Sequence, residues 1–234
     1  MALFQQAAQA AIADIRARGR LPLLVGGTGQ YVRAVTQGWL PPEVRSDERL
    51  RLALEALVAE HGPYWLHYSL RILDPLAAGR IDARNIRRTV RALEVIFTTG
   101  RPFASQRRLS DSPFELITVG LKRPRPELYA LIDQRIDAMF EQGLLDEVRA
   151  LLDKGYSPEL PTLSAIGYRE CIQVLVGSST VAEARIQMKR LTRIFVRRQG
   201  NWFKEDDPAI QWFEMRPDTA QKVIQYLTER LSGK

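Results

Sequence analysis

One cysteine, Cys171, and two histidines, His61 and His67, are all that this 234-residue chain offers of either type. That excludes an internal disulfide and leaves no credible zinc set. Lysine is also scarce, at six of 34 basic residues. No run approaches the roughly 18 uncharged apolar residues that span a bilayer. The N-terminal stretch, Ala- and Gln-rich and followed by Asp14 and Arg16, does not have the form of a signal peptide. These absences predict a soluble, cytoplasmic protein without membrane association. Strand-like segments are few as well. What remains is ordinary globular material: 45% hydrophobic and 26% charged residues, enough for a sizeable core and against disorder, collagen or coiled coil. The length suits one domain with an insertion as well as two domains.

The net charge of +7 is unevenly placed. Arg80, Arg84, Arg87, Arg88, Arg91, Arg101, Arg107 and Arg108 stand against only Asp82 and Glu94. Arg185, Lys189, Arg190, Arg193, Arg197, Arg198 and Lys204 occupy a stretch with no acid. Both segments have helical periodicity. In the first, Ile86, Val90, Leu93 and Phe97 form an apolar stripe with Arg84, Arg87, Arg88 and Arg91 on other faces. In the second, Ala184, Met188, Leu191, Phe195 and Trp202 form the stripe, and Arg185, Lys189, Arg193 and Arg197 a basic row. Like charges four residues apart cost helix stability. A solvated basic face accounts for either helix alone; two in one chain, with the remainder acidic, point to a polyanion, of which nucleic acid is the commonest. The arginine bias suits bidentate phosphate recognition, although a GC-rich genome produces it too.

Along the chain, Phe4 to Arg18 predicts an amphipathic helix stopped by Gly19, and Leu21 to Val25 a buried parallel strand. The turn Gly26-Gly27-Thr28-Gly29 then leads into a helix from about Gln30. Such a turn presents N–H groups and a hydroxyl at a helix N-terminus, a natural anion site. It lacks the Gly-Lys-Ser/Thr ending of a P-loop, and a plain tight turn explains it equally well. Pro41-Pro42 breaks the pattern, and Ser46 to about Ser110 is helical and Arg-rich. Strand character returns at Glu115 to Leu121. Helices are predicted at Pro126 to Gln142, Leu144 to Lys154, Gly167 to Val176, Thr180 to Phe203 and Asp218 to Leu231. Two strong strands are too few for a doubly wound sheet, so the chain reads as the back half of a larger α/β protein. Ser110 and Ser112 lack the nucleophile-elbow context of a hydrolase.

The run Leu23-Leu24-Val25-Gly26-Gly27-Thr28-Gly29-Gln30-Tyr31 closely resembles the tRNA dimethylallyltransferase family. Further blocks agree in order: Arg88 to Val95 with Thr99-Gly100; Arg125 to Arg135, ending Ile132-Asp133-Gln134-Arg135; Gly143-Leu144 through Glu147-Val148; Ala165 to Glu170; and Arg197-Arg198-Gln199 with Trp202-Phe203. Gln30 and Asp82-Ala83 are small departures. The resemblance implies an α/β fold with an incomplete P-loop-NTPase-like core of few parallel strands and a mainly helical insertion domain. Residues 1–42 and 113–234 would form the core, and residues 43–112 the insertion that grips tRNA.

The reaction implied is attack by the exocyclic amine of a flipped-out adenine beside the anticodon on dimethylallyl diphosphate, with Mg²⁺ as cofactor and nucleotide and RNA binding as general properties. By the same resemblance Thr28 would sit at the reacting amine and Arg135 would bind the diphosphate. Arg51, Arg88, Arg91, the Ser164 to Arg169 segment (Ser164, Gly167, Tyr168, Arg169) and the Arg197 to Lys204 segment (Arg197, Arg198, Gln199, Trp202, Lys204) would contact the tRNA anticodon stem-loop. The chain is expected to be a monomer. The family's P-loop and its Asp-Ser motif lie upstream of the matched stretch. The expectation is therefore the C-terminal two-thirds or so of such an enzyme, with an activity that the missing loop and aspartate make doubtful. The rivals are a non-catalytic tRNA-binding module and an isopentenyltransferase acting on free adenine nucleotides.

Overall fold

The computed structural model describes residues 2–40, 42, 44, 47–106, 108, 109, 112 and 114–233. The Pro41 break, the Ser46 start of the helical stretch, Arg107 and Ser110 lie outside these residues. The chain divides into two compact units, 1–116 and 117–234.

In the first unit, α1 (Ala2–Ala17) packs against α2 (Gly29–Thr36). Their joint is a polar lock inside an apolar contact: the buried Gln5 amide donates to Ala34 O at 2.7 Å, and the Phe4 and Tyr31 rings lie 4.6 Å apart. A two-residue antiparallel bridge joins β1 (Trp39–Leu40) to β2 (Arg108–Leu109). The intervening chain is a helical cluster of α3 (Glu48–His61), α4 (Pro63–Leu73), α5 (Pro75–Ala78), α6 (Ile86–Thr99) and α7 (Phe103–Gln106). Leu54, Leu66, Leu70, Ile81, Val90 and Leu93 form its core. Helix boundaries follow local chemistry. Asp47 caps α3 through Leu50 N–H, Asn85 caps α6 through Arg88 N–H, and Gly100, at φ +67°, ends α6 in the left-handed conformation that glycine adopts without a Cβ penalty.

The second unit holds a small parallel sheet, β3 (Thr118–Lys122) beside β4 (Ile210–Glu214). Gly120 lies opposite Trp212, and a Cβ there would fall 2.4 Å from the indole, so only glycine fits this crossing. Helices α8 (Arg125–Glu141), α9 (Leu144–Asp153), α10 (Tyr168–Leu175) and α11 (Val181–Trp202), with a 3₁₀ turn at Pro161–Ser164, enclose Ile132, Ile136, Val148, Cys171 and Met188. Helix α12 (Thr219–Ser232) follows β4. The result is a helix-rich α/β chain with few parallel strands.

Two expectations require correction. Leu21 to Val25 forms no strand: Leu23 is 70% and Val25 91% exposed, and no ladder partner lies beside them among the described residues. A strand exists only when a second backbone accepts its N–H and C=O groups, and hydrophobicity alone cannot supply one. Conversely, Ile210–Glu214, which sequence reasoning passed over, is the partner of β3. The apolar faces of the two basic helices are also shifted. In α6, Ile86 and Phe97 are exposed while Thr89, Ala92, Glu94 and Val95 are buried beside Val90 and Leu93. In α11, Ala184 and Met188 are buried and Phe195 is exposed.

Candidate functional site

Thr28 stands at the N-cap of α2, exposed, and its hydroxyl makes no capping bond. Its carbonyl accepts from Tyr31 and Val32 N–H at 2.9 and 3.1 Å. The side chain is thus held in place by its backbone and left chemically unspent. The residues before it, 20–27, carry no regular secondary structure.

In α3 to α6, Glu94 organises the arginines. Its side chain is fully buried. One carboxylate oxygen accepts from Arg51 Nε at 3.0 Å and Asp47 N–H at 2.8 Å; the other accepts from Arg51 Nη2 at 3.0 Å and Arg91 Nη1 at 2.7 Å. Arg91 Nη2 also reaches Val44 O at 3.0 Å. Burial alone would favour protonation, but these hydrogen bonds outweigh it and hold Glu94 below the ordinary carboxylate range. Arg51 and Arg91, expected at the RNA, are therefore both tied to one internal anion. Arg88, one turn earlier in α6, is exposed.

In the second unit Arg135 is exposed on α8, between the buried Ile132 and Ile136. The Ser164 to Arg169 segment is pinned from below. Leu163 is buried, Gly167 takes φ +107° with Met188 Cε 3.2 Å from where a Cβ would lie, and Gly167 N–H donates to the buried Glu170 at 2.7 Å. Ser164 Oγ donates to Pro161 O at 2.6 Å. Tyr168 donates its hydroxyl to Glu147, and that bond raises the phenol's pKa. Arg169 is exposed and its Nε lies 3.4 Å from Glu170. Cys171, beneath this segment, is pushed up to about 11 by burial and by the nearby Glu170 and Glu147, so it is an inert core thiol.

Along α11 the basic row divides. Lys189 and Arg185 reach Asp137 at 2.7 and 3.3 Å, and Arg193 reaches Asp133 at 2.6 Å while lying over the Tyr129 ring. The Lys189 bond leads in holding Asp137 below its usual range. An acidic pair four residues apart on α8 thus meets a basic row of the same spacing, and those cations serve packing as well as charge. Arg190, Arg197, Arg198 and Lys204 remain exposed, and Ile186, Lys189, Arg190, Arg193 and Arg197 line an open groove of about 370 Å³. Gln199 and Trp202 are part-buried near the helix end. There the Trp212 indole N–H donates to Lys204 O at 3.2 Å and Lys122 pairs with Glu205 at 2.7 Å, which ties the end of α11 to the sheet. Sequence reasoning missed Glu94, Asp133 and Asp137 as organisers; the available signal was the three-residue spacing of Arg91 to Glu94 and the four-residue spacing of Asp133 to Asp137, which matches that of the α11 row.

Among the described residues no three His, Cys, Asp or Glu side chains gather into a metal cage. No helix among these residues is long and apolar enough to cross a membrane.

Fold and side-chain geometry together define a helix-rich α/β protein with exposed guanidinium groups and an unspent hydroxyl at a strand-less glycine turn. The IPP transferase family model matches residues 1–206. The chain belongs to the IPP transferase family, and so to the prenyltransferase enzymes. It is 47% identical over 222 residues to the tRNA dimethylallyltransferase of Roseiflexus castenholzii, which covers 95% of this chain and 72% of that protein. The corresponding enzyme of another Roseiflexus species is 49% identical over 204 residues, covering 87% and 67%. The full-length tRNA isopentenylpyrophosphate transferase of Bacillus halodurans superposes with a TM-score of 0.64 at 39% identity, over 98% of this chain and 72% of that one. A eukaryotic dimethylallyltransferase acting on tRNA shares the fold, with a TM-score of 0.79 at 24% identity, over 99% and 62%.

Proposed function

We propose that the chain serves the transfer of a dimethylallyl group from dimethylallyl diphosphate to the exocyclic amine of the adenine next to the tRNA anticodon. The observation that carries this reading is the family match across residues 1–206, which runs through the Thr28 turn and both arginine-rich helices. In the reaction the amine lone pair forms the new C–N bond as the allylic C–O bond breaks. The electron pair leaves with diphosphate, and the amine loses a proton to a base.

Thr28, with its hydroxyl uncommitted, is assigned to the reacting amine, and the exposed Arg135 to the charge that develops on the leaving group. Arg88, Arg169, Arg197, Arg198 and Lys204 supply exposed cations for the anticodon stem-loop, and Arg51 and Arg91 supply ordered ones.

The test is a transfer assay with labelled dimethylallyl diphosphate, Mg²⁺ and unmodified tRNA, alongside a binding titration with the same tRNA. Label in tRNA supports the proposal. Binding without label makes the chain an RNA-binding module, and label in free adenine nucleotide instead of tRNA assigns the nucleotide-acting alternative. If transfer occurs, Thr28→Ala is expected to lower kcat by about 100-fold, the scale of one lost positioned donor. Its melting temperature should be unchanged, because the hydroxyl caps nothing.

A further inference from the structure

We propose that Glu94 is a positioning residue for RNA binding: from inside the core it fixes Arg51 and Arg91 as one rigid pair of guanidinium groups that receives a backbone phosphate of the tRNA. The inference rests on the tRNA reading above and adds to it a residue that touches no substrate.

Its geometry is specific. Arg51 gives Glu94 one edge of its fork, Nε and Nη2, each at 3.0 Å. The opposite edge, Nη1 with the second Nη2 hydrogen, is left over, on a side chain that is 40% exposed. Arg91 is clamped at two points, Glu94 and Val44 O, at 2.7 and 3.0 Å, and is 29% exposed. The carboxylate itself has no exposure. The anion that orients these donors is therefore hidden from an approaching phosphate. A surface carboxylate in the same place would repel the phosphate. Two guanidiniums share one carboxylate, so the trio keeps a charge of +1. Holding the long arginine side chains in advance removes ordering that would otherwise oppose binding. Asp47 N–H on the same carboxylate oxygen extends the hold to the first turn of α3, so the element that carries Arg51 is itself placed by Glu94.

A purely structural ion pair would tie α3 to α6 equally well, so the test reads RNA and not stability alone. Full-length wild type, Glu94→Gln, Arg51→Gln and the double variant are titrated with a tRNA anticodon stem-loop transcript over a range of salt, each with a melting curve. Glu94→Gln is expected to weaken binding about tenfold and to lower the slope of log affinity against log salt by about one, the signature of one lost phosphate contact. Arg51→Gln should do the same, and the double variant no more than either single change, because the two residues act through one contact. Wild-type affinity and slope in a folded Glu94→Gln, or losses that multiply in the double variant, would overturn the role. If Glu94→Gln does not fold, Arg51→Gln decides alone: a folded variant with unchanged slope overturns it. Absence of salt-sensitive tRNA binding by the wild type would remove the tRNA reading itself, and the role of Glu94 with it.

Discussion

Helices α6 and α11 bring similar arginine rows to the molecule, yet their counter-charges lie on opposite sides of the solvent boundary. In α6 a single carboxylate, Glu94, is sealed in the core and gathers two arginines belonging to different helices. In α11 the counter-charges are Asp133 and Asp137 of α8, each about one-third exposed. A buried carboxylate cannot give up its partners without being left as an unpaired internal charge, whereas a partly exposed one is readily solvated by water. The same residue pattern thus gives a rigid cation pair in one unit and an adjustable, partly neutralised row in the other.

This contrast can be tested where its effect is largest. Glu94→Ala removes the four hydrogen bonds its buried carboxylate accepts, while the partly exposed arginines can turn to water, and is expected to cost about 2 to 3 kcal/mol in urea unfolding. Asp137→Asn should cost less than about 1 kcal/mol in the same measurement. Equal losses would erase the distinction.

Acid should separate them next. Glu94 is held below its unfolded value of 4.5, so its stabilising contribution is complete above that pH and disappears as pH falls through the lower folded value. Melting temperatures followed downward from pH 5 should therefore fall less steeply in Glu94→Gln than in wild type. Asp137 shares the direction of shift but is open to solvent, so Asp137→Asn should leave the curve nearly parallel to wild type.

The smallest expected effect lies in binding. Asp133→Asn with Asp137→Asn frees Arg185, Lys189 and Arg193 beside the open groove, and should strengthen tRNA binding roughly two- to fivefold at low salt with a steeper salt dependence. A weakened affinity would mean that the α8 carboxylates orient the α11 cations for RNA much as Glu94 orients those of α6, which would bring the two regions under one rule.

Much of the architecture could be read in advance because it is local. The helices from α8 to α12 fall within a few residues of their predicted limits, since apolar periodicity and caps such as Thr180 act over one or two turns. The segments proposed for the site stand out in the sequence through their motifs: the Thr28 turn, Arg135, Ser164 to Arg169 and Arg197 to Lys204. Strands were less so. Leu21 to Val25 is the more hydrophobic of the two segments, yet only Thr118–Lys122 finds a neighbour, Ile210–Glu214, some 90 residues later in sequence. Hydropathy records a tendency to be buried; it does not record who supplies the other half of a ladder.

The sequence by itself determined the placement of helices, the concentration of arginine in two of them, the absence of a cysteine pair, and the glycine turn around Thr28. Those are properties of neighbours along the chain, set by backbone sterics, capping and side-chain spacing. Only the tertiary structure decided which arginines are tethered and which are free. That choice depends on where Glu94, Asp133 and Asp137 come to rest relative to water, and the strength of a charge pair is fixed by its surroundings as much as by its partners.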